Sequence, residues 1–541
     1  MKLNTLSLQD TAAWEAAGIA LPRFDIPAIR AATAAAPTWV HFGAGNIFRA
    51  FPAMAMQRLL NDGIEAKGII VAEGYDTEII DKAFAPHDNL SLLVTLRADG
   101  SIEKTVVASI TEALKADPAE TADWQRLEEI FTNPSLQMVS FTITEKGYAL
   151  TAPDGSTPRD IVADLASGPA APVSYMGKIA ALVLQRYEKA NASPLSMVSM
   201  DNCSHNGARL HAAVSAFARQ WEAQGFASPG FAAYVDNPAR LAFPWTMNDK
   251  ITPRPDSGVA SMLQSVGFED TAMVATIKNT FVAPFVNAEE AEYLVIEDAF
   301  PNGRPALHHA GMLFTDRATV EKTEKMKVCT CLNPLHTSLA VFGCLLGYTK
   351  ISDEMKDPHL VSLVREAGLR EGLPVVVNPG IIDPQAFIHQ VLNVRFPNPF
   401  MPDTPQRIAC DTSQKIPIRF GETIKAYMAH ETLRPADLRA IPLVLAAWCR
   451  YLLGVDDTGQ PLNLSPDPML PALQAALSGI SLGDTGCAAK LRPILSDPIY
   501  FGVDLYEAGI GEAVEEIFHE MISGPGAVRR VLAQRYDSYP E

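Results

Sequence analysis

Residues 38–51 of the sequence read TWVHFGAGNIFRAF. The first five form a short, mostly apolar run with β-branched and aromatic members; Gly43-Ala44-Gly45 follows, and a helical pattern then extends to about Leu60. This order predicts a buried strand, a tight turn and a helix. Gly43 permits a positive φ in the turn, and Gly45 lets the backbone approach a pyrophosphate. The segment therefore predicts a nucleotide-binding turn, with cofactor contacts from Gly43, Gly45, Asn46 and Ile47.

The fingerprint of this turn is incomplete, because Phe48 stands where the third glycine of G-x-G-x-x-G is expected. A plain glycine turn of an α/β protein is the alternative interpretation. Arg49 either adds charge near a phosphate or is a solvated helix residue. A second apolar run, 68–73, ends in Glu73, where a carboxylate binds the ribose 2′-OH and repels a 2′-phosphate, so NAD is favoured over NADP. Asp76 is a rival for that role.

The sequence around these segments alternates between strand-like and helical patterns. Strand-like runs lie at 90–95, 105–110, 136–143 and 195–200, and helical patterns lie at about 124–131 and 179–187. Alternation of this kind predicts an α/β domain with a mainly parallel sheet.

From about residue 318 long helical patterns dominate. They lie at 336–348, 357–369, 437–453, 469–477 and 511–522. With 541 residues, the chain is too long for one core. We therefore predict two domains, 1–317 and 318–541, with a boundary anywhere between about 285 and 320: an α/β nucleotide-binding domain followed by a mainly α-helical one.

The composition indicates a globular protein that does not bind nucleic acid. The net charge is −18, from 44 basic and 62 acidic residues. Such a surface repels phosphate backbones and anionic membranes, so an anionic substrate needs a local basic pocket. The N-terminus lacks a signal-peptide pattern, no apolar run reaches the length of a membrane helix, and the seven cysteines are scattered. These features predict a cytoplasmic protein with reduced thiols. The oligomeric state is left open as a monomer or a small homo-oligomer.

Six ordered motifs carry a resemblance to a known family. They are HFGAGNIFRAF (41–51), SFTITEKGY (140–148), SMDNCSHNG (199–207), FPWTMNDKITP (243–253), KMKVCTCLNPLH (325–336) and RIACDTSQKIP (407–417). With these motifs the chain resembles the polyol-specific long-chain dehydrogenases, the family of mannitol 2-dehydrogenase, fructuronate reductase and tagaturonate reductase. The resemblance spans most of the chain.

The resemblance implies a Rossmann domain followed by a helical domain, NAD as cofactor, no metal, and a lysine as acid/base. It places the catalytic lysine at Lys327, and the carboxamides that bind the oxyanion at Asn202 and Asn333. It places the active-site histidine at His336. The remaining implied residues are Asp249, Arg407 and Lys415 for substrate binding and Glu324 for proton relay.

Two departures from the family pattern concern Asp249 and Lys327. The family's V-D-R is Asn248-Asp249-Lys250 here, and Lys327 stands six residues before Asn333 where the family has five. Lys325 is therefore a competitor for the catalytic role. However, the family's glutamate stands three residues before its lysine, and Glu324 stands three residues before Lys327. Pro334 suits the first turn of a helix, and Asn333 suits its N-cap, so we expect Lys327 to precede that helix.

The chemistry of hydride transfer requires these residue types. Reduction of a ketone leaves an alkoxide, which needs hydrogen-bond donors and a proton. Two carboxamides supply the donors, and an ammonium supplies the proton. Desolvation is needed to bring a lysine pKa from about 10.4 toward neutrality, and the apolar residues Met326, Val328 and Leu332 fit that need. Arg407 and Lys415 suit a substrate carboxylate.

The segment P-L-H-T at 334–337 is more similar to the fructuronate reductase branch than to mannitol dehydrogenases. We therefore expect D-fructuronate and D-mannonate as the substrate pair, with mannitol/fructose and tagaturonate/altronate as alternatives. A zinc-dependent polyol dehydrogenase using Cys329, Cys331 and His336 is a rival of another class. A non-catalytic NAD-binding redox sensor is a second rival.

Overall fold

A computed structural model describes residues 1–152, 154–484 and 488–536. These residues form two units. The first comprises Met1–Leu96 and Ser101–Glu321, and the second comprises Arg97–Gly100 with the described residues from Lys322 onward.

The first unit is built on a six-stranded parallel sheet. Its strands are β1 (Trp39–Phe42), β2 (Ile69–Glu73), β3 (Ile110–Lys115), β4 (Met138–Phe141), β5 (Leu195–Ser199) and β6 (Leu241–Ala242). Their order in the sheet is β3-β2-β1-β4-β5-β6. This is the strand order of dinucleotide-binding Rossmann folds, in which ligands bind at the carboxyl ends of the strands. The predicted fold class of this half is confirmed.

The sheet is apolar on both faces because helices cover both. Val40 and Phe42 pack in one core cluster, whereas Trp39 packs in another. This alternation is what a strand with buried sides requires. The first face is covered by the helices Thr121–Thr132, Tyr175–Lys189 and Asn206–Ala223, and the second by Pro52–Asn61.

Several elements of the first unit differ from the prediction. The predicted strand 105–110 is wrong, because one strand ends at Val107 and β3 begins at Ile110. The helix expected to continue to Leu60 is interrupted at Phe51, which separates Asn46–Ala50 from Pro52–Asn61. Three smaller sheets contain one predicted strand, because the run predicted at 90–95 is confirmed as Ser91–Leu96; the other strands of these sheets were not predicted with these bounds. The sheets are Ile19–Ala20, Ser91–Leu96, Ile102–Val107 and Phe285–Glu289; Thr246–Asp249, Tyr293–Glu297 and Leu313–Thr315; and the hairpin Val274–Ala275 with Phe281–Val282.

The remaining helices of the first unit are short. They are Thr11–Ala16, Ile26–Ala35, Thr144–Tyr148, Arg159–Ser167, Phe231–Val235 and Ser257–Ser265.

The second unit is mainly helical, as predicted. The five predicted helices correspond to Asn333–Leu346, Pro358–Arg365, Ala440–Tyr451, Leu470–Ala476 and Gly511–Met521. Further helices are Ile351–Glu354, Pro384–Gln390, Pro405–Ile408, Thr412–Ile416, Glu422–Ala429, Ala488–Leu495, Pro498–Phe501 and Ala527–Tyr536. Wide π-helical turns lie at Lys327–Cys331, Glu366–Gly372, Val391–Arg395 and Pro417–Gly421.

One helix, Arg317–Leu346, has the length and apolar composition to cross a membrane, although no sequence run predicted such a segment. Of its apolar 18-residue window, 78% is buried inside the protein. A core helix passes the same test of length and composition, so this feature is weak evidence for a membrane span.

Candidate active site

The glycine turn lies at the carboxyl end of β1. Gly43 has φ 108°, and a Cβ there would come within 2.3 Å of the Thr142 carbonyl oxygen, so only glycine fits. At Gly45 a Cβ would meet no atom within 4 Å. The backbone at Gly45 therefore borders open space, which is the room that the pyrophosphate of a dinucleotide needs at this turn. The turn fits the predicted cofactor.

Glu73 ends β2 and is tied to the glycine turn. Its Oε2 accepts from Ala44 N at 2.8 Å, and its Oε1 accepts from Tyr75 N at 2.8 Å and Asp76 N at 3.0 Å. Burial raises the pKa of Glu73 above its ordinary value. A carboxylate has about four lone-pair sites, so a site for a ribose hydroxyl remains. Asp76 is also buried, but its carboxylate accepts from Thr276 Oγ1 at 2.6 Å.

The helix that follows the turn begins at Asn46, and Asn46 and Ile47 are both half-buried. Asn46 Nδ2 donates to Pro253 O at 3.3 Å, and its Oδ1 accepts from Arg49 Nη2 at 2.8 Å. The interpretation of Arg49 as a solvated helix residue is wrong. It is fully buried and donates to Ala283 O at 2.7 Å, and burial lowers its pKa to about 10. Arg49 therefore ties the helix after the glycine turn to the segment between the strands Phe281–Val282 and Phe285–Glu289.

Asn202 and Asp249 also belong to the first unit. Asn202 is exposed in the turn that follows β5, at the same carboxyl edge as Gly43 and Glu73. Asp249 ends the strand Thr246–Asp249 and is 6% exposed. Lys250, which replaces the family's arginine, is a structural residue, because its Nζ donates to Glu292 Oε2 at 2.9 Å and Glu289 O at 3.0 Å.

Lys327 belongs to the second unit, and its burial separates it from its competitor. Lys327 is only 2% exposed, whereas Lys325 is exposed. Glu324, one turn earlier on the helix, is half-buried. Burial disfavours the charged form of an amine, and a lysine that acts as acid and base must be able to reach its neutral form. Lys327 and Lys325 thus differ in burial, and the acid/base role of Lys327 stays a prediction.

Lys327 precedes the helix Asn333–Leu346, as expected, and lies on the turn Lys327–Cys331. The predicted cap is wrong by one residue, because Leu332 is the N-cap and Asn333 is the first residue of the helix. The turn Lys327–Cys331 is a π turn, closed by Leu332 N donating to Lys327 O at 3.1 Å. A π turn holds one residue more than an α turn. Six positions from Lys327 to Asn333 therefore span about the angle that five span in a regular α-helix, which accommodates the extra residue.

His336 lies one turn after Asn333 on the same helix. Its Nε2 is 3.0 Å from Asp403 Oδ2, and Asp403 also accepts from Arg407 Nη2. Burial, followed by the charges of nearby cations, lowers the pKa of His336 to about 3. His336 is therefore neutral at ordinary pH, with one nitrogen as donor and one as acceptor.

Four cationic residues surround His336. The positive charges that lower its pKa belong to Arg419, Arg407, Arg395 and Lys415. Burial lowers the pKa of Arg419 to about 10 and also lowers that of Lys415, whose Nζ donates to Cys410 O. We call these four residues the cation cluster. It includes both predicted substrate-binding cations.

Arg395 and Arg419 were missed by the sequence analysis. Each lies on a π turn, Val391–Arg395 and Pro417–Gly421. Arg419 Nη1 donates to Thr337 Oγ1 at 2.5 Å, and Thr337 Oγ1 donates to Asn333 O at 3.0 Å. A chain of hydrogen bonds thus links the cation cluster to the first turn after Lys327. The signal available in the sequence was an arginine four residues after Lys415.

The cysteines near Lys327 are poor candidates for metal ligands. Burial raises the pKa of Cys329 to about 11 and that of Cys331 to about 12, so both are protonated thiols. Within the ranges 1–152, 154–484 and 488–536, no three His, Cys, Asp or Glu side chains are grouped so that they could hold a metal ion.

Comparison with known proteins identifies the family. The model of the mannitol dehydrogenase Rossmann domain matches residues 37–309, and that of the mannitol dehydrogenase C-terminal domain matches residues 319–494. The chain belongs to the mannitol dehydrogenase family. It is therefore a member of a family of dehydrogenases that act on CH–OH groups.

Three relatives show how far the likeness extends. A D-mannonate oxidoreductase of Thermotoga maritima is 51% identical, over 99% of each chain. A mannitol 2-dehydrogenase of Cereibacter sphaeroides is 30% identical, over 92% of this chain and 96% of the relative. The solved Pseudomonas fluorescens mannitol 2-dehydrogenase, a ternary complex with NAD and D-mannitol, is 27% identical, with a TM-score of 0.69 and full coverage of both chains.

Proposed function

We propose that this protein is an NAD-dependent oxidoreductase that interconverts D-fructuronate and D-mannonate, with Lys327 as acid/base and without a metal ion. The observation that carries the proposal is the cation cluster around His336, which suits a substrate with a carboxylate. The relative from Thermotoga maritima, a D-mannonate oxidoreductase by name, supports the same substrate pair.

The cation cluster suits a carboxylate because the rest of the protein repels one. The net charge is −18, so binding of an anionic sugar acid requires local positive charge. Arg407 is already paired with Asp403, whereas Arg419 donates to a neutral hydroxyl. Arg419 therefore keeps most of its charge available for a substrate. Planar guanidinium groups bind carboxylates in a bidentate manner.

NAD, when bound at the glycine turn, accepts or gives the hydride at the reacting carbon. The residues of this chain handle the proton and the charge on oxygen. In the reductive direction the Lys327 ammonium donates a proton to the oxygen, and in the oxidative direction the neutral amine removes it. Burial of Lys327 lowers the cost of the neutral form.

Carboxamides stabilise the charge that develops on the substrate oxygen. Asn333 and Asn202 are the proposed donors, and one such donor typically contributes about 3–4 kcal/mol to the transition state. The hydrogen bonds from Arg419 through Thr337 to Asn333 O fix the backbone that presents Asn333.

His336 orients the substrate. The buried Nε2 lies 3.0 Å from Asp403 Oδ2 but makes no hydrogen bond to it, and a neutral imidazole has one donor and one acceptor nitrogen for a substrate hydroxyl. Among residues 1–152, 154–484 and 488–536, Cys329 and Cys331 belong to no group of three possible metal ligands, which favours the metal-free proposal over the zinc-dependent alternative.

A substrate panel tests the proposal. Reduction of D-fructuronate, D-tagaturonate and D-fructose by NADH is followed at equal enzyme concentration, after treatment with EDTA. We expect the highest kcat/KM for D-fructuronate, undiminished by the chelator. Efficient turnover of D-fructose without turnover of any uronate would refute the substrate assignment and favour a mannitol 2-dehydrogenase. Loss of activity that zinc restores would refute the metal-free mechanism.

A further inference from the structure

Two of the six sequence motifs, 140–148 and 199–207, meet at the carboxyl edge of the parallel sheet. The first runs on from the end of β4 and the second from the end of β5, and these two strands are neighbours in the sheet. The second motif contains Asn202, a proposed donor to the substrate oxygen, whereas no residue of the first has a role in the proposed function. The side chains of Asp201 and Tyr148 connect the two motifs.

Asp201 binds three donors of the first motif. Its Oδ2 accepts from Ile143 N at 2.9 Å, and its Oδ1 accepts from Thr144 N at 2.9 Å. Its Oδ2 also accepts from the Tyr148 hydroxyl at 2.5 Å, and that hydroxyl lies 2.9 Å from Ser199 Oγ. Burial, followed by the charge of Asp201, raises the pKa of Tyr148 well above its ordinary value, so the hydroxyl keeps its proton and donates.

The backbone of Thr144 is constrained at this junction. Its φ is 65°, in the left-handed region that a β-branched residue rarely adopts. The hydrogen bond from its N–H to Asp201 Oδ1 fixes that conformation. Backbone outliers that the surrounding structure enforces are concentrated at active sites. The conformation of Thr144 therefore indicates that the junction serves the site as well as the fold.

The backbone on both sides of Asn202 is held by hydrogen bonds. The Asp201 carbonyl oxygen accepts from Cys203 N at 3.0 Å and from Asn206 Nδ2 at 2.9 Å. Asn206 is 1% exposed, and its Nδ2 also donates to Thr246 Oγ1 at 2.8 Å. Asn202 is thus an exposed residue in a turn whose neighbouring residues are fixed.

We propose that Asp201 and Tyr148 are positioning residues, which fix the turn of Asn202 so that its carboxamide is set for the charge that develops on the substrate oxygen. The proposal rests on the proposed donor role of Asn202, and both residues act through it. A donor that is fixed in advance requires no reorganisation during the reaction. Displacement of the turn therefore lowers kcat and leaves cofactor binding unchanged.

A double-mutant cycle tests the proposal in the full-length protein. Tyr148→Phe, Asn202→Ala and the double variant are compared with wild type by steady-state kinetics, with NADH and the sugar that the substrate panel identifies. Tyr234→Phe is the matched control, because Tyr234 is buried in the same core cluster and its hydroxyl donates to Ser193 O, ahead of the amino end of β5. Asp201→Asn, which keeps the shape of the side chain and removes its charge, is a second variant.

We expect Tyr148→Phe to lower kcat about tenfold, because it removes a hydrogen bond to a charged group, and Asp201→Asn to lower it further. The KM of the sugar and the Kd of NADH should stay within about twofold. In the Asn202→Ala background, Tyr148→Phe should change kcat by less than about twofold. Tyr234→Phe should lower the free energy of unfolding about as much as Tyr148→Phe does and keep wild-type kcat.

The same loss of kcat from Tyr148→Phe in both backgrounds would overturn the proposal, and so would wild-type kcat in Tyr148→Phe itself. An equal loss in Tyr234→Phe would reduce the effect to one of stability and would also overturn it. Wild-type kcat in Asn202→Ala would refute the donor role of Asn202 and, with it, the proposal. The result with Tyr148→Phe decides the matter where Asp201→Asn fails to fold. A preferred sugar other than D-fructuronate refutes the substrate assignment and leaves this cycle unchanged.

Discussion

Arg419 connects substrate binding to the geometry of the catalytic helix. Its guanidinium lies among the cations around His336, and its Nη1 donates to Thr337. Under the proposed function, the same side chain supplies charge for a substrate carboxylate and supports the turn that contains Asn333. A neutral sugar would depend only on the second of these roles.

Substitution of Arg419 should thus affect acids more than neutral sugars. We expect Arg419→Met to lower kcat/KM for D-fructuronate by about 10–100-fold, because a charged hydrogen bond contributes about 1.5–3 kcal/mol. The value for D-fructose should change less than about threefold, and Arg419→Lys should recover part of the loss. Steady-state kinetics with Arg530→Met as a surface control measure both ratios. Equal losses for both substrates would assign Arg419 a structural role alone.

His41 on β1 is a buried group whose titration opposes folding in acid. Its ring nitrogens lie 2.6 Å from Ser140 Oγ and 2.8 Å from Thr142 Oγ1, and burial lowers its pKa to about 3. The unfolded chain, with a histidine pKa near 6.5, binds a proton between pH 6.5 and 3 that the folded chain excludes. The contribution of His41 to stability is therefore full above pH 6.5 and is lost as the pH falls.

A variant without the titrating group isolates this effect. The difference in free energy of unfolding between wild type and His41→Gln should shrink by about 1.4 kcal/mol per pH unit between pH 6 and pH 4. Urea unfolding of the first unit, followed by its own tryptophan signal, measures the difference. If this difference in free energy of unfolding stays constant between pH 6 and pH 4, His41 is protonated in the folded protein as it is in the unfolded chain.

Among secondary-structure elements, the π turns carry charged residues of the site. Lys327, Arg395 and Arg419 each lie on one. A π turn shifts the register of a helix by one residue and widens it locally, and such turns are frequent at functional sites. A single extra residue in a helix does not change the hydrophobic periodicity of the sequence enough to be recognised. These turns were therefore not predicted.

Removal of the extra residue tests the role of the turn that begins at Lys327. Deletion of Cys329 should convert it to a regular α turn and leave Lys327 and Asn333 on nearly their present faces. We expect that variant to keep at least about a tenth of wild-type kcat. Deletion of Ala340, in the regular part of the same helix, turns all later residues by about 100° and should abolish folding or activity. Equal loss in both deletions, measured by kcat and circular dichroism, would contradict this account of the turn.

At the scale of the whole molecule, local patterns predicted the architecture better than they predicted the site. The run 38–51 and the acid at Glu73 identified the nucleotide-binding half, because strand, turn and helix follow each other in sequence there. The candidate site residues Lys327 and His336 were predicted from the resemblance of motifs to a known family, and local patterns did not predict them. Arg419 and Asp403 were missed because their roles depend on residues that are distant in sequence.

Some interpretations of single residues failed for the same reason. Arg49 follows the glycine turn closely in sequence, yet its partner is the carbonyl of Ala283, more than two hundred residues away. The strand Phe285–Glu289 pairs with Ser91–Leu96, which lies far from it in sequence, and no local pattern reports such a pairing. Non-local contacts of this kind are visible only in the folded chain.

The most direct test of the central claim is kcat/KM for D-mannonate oxidation by NAD in Lys327→Ala, with Lys325→Ala as its matched control. We propose Lys327 as the acid/base, so its removal should lower kcat/KM by at least about a thousandfold while the Kd of NADH stays within twofold. Lys325→Ala should remain within about threefold of wild type. A Lys327→Ala enzyme with wild-type turnover, or a larger loss in Lys325→Ala, would contradict the account.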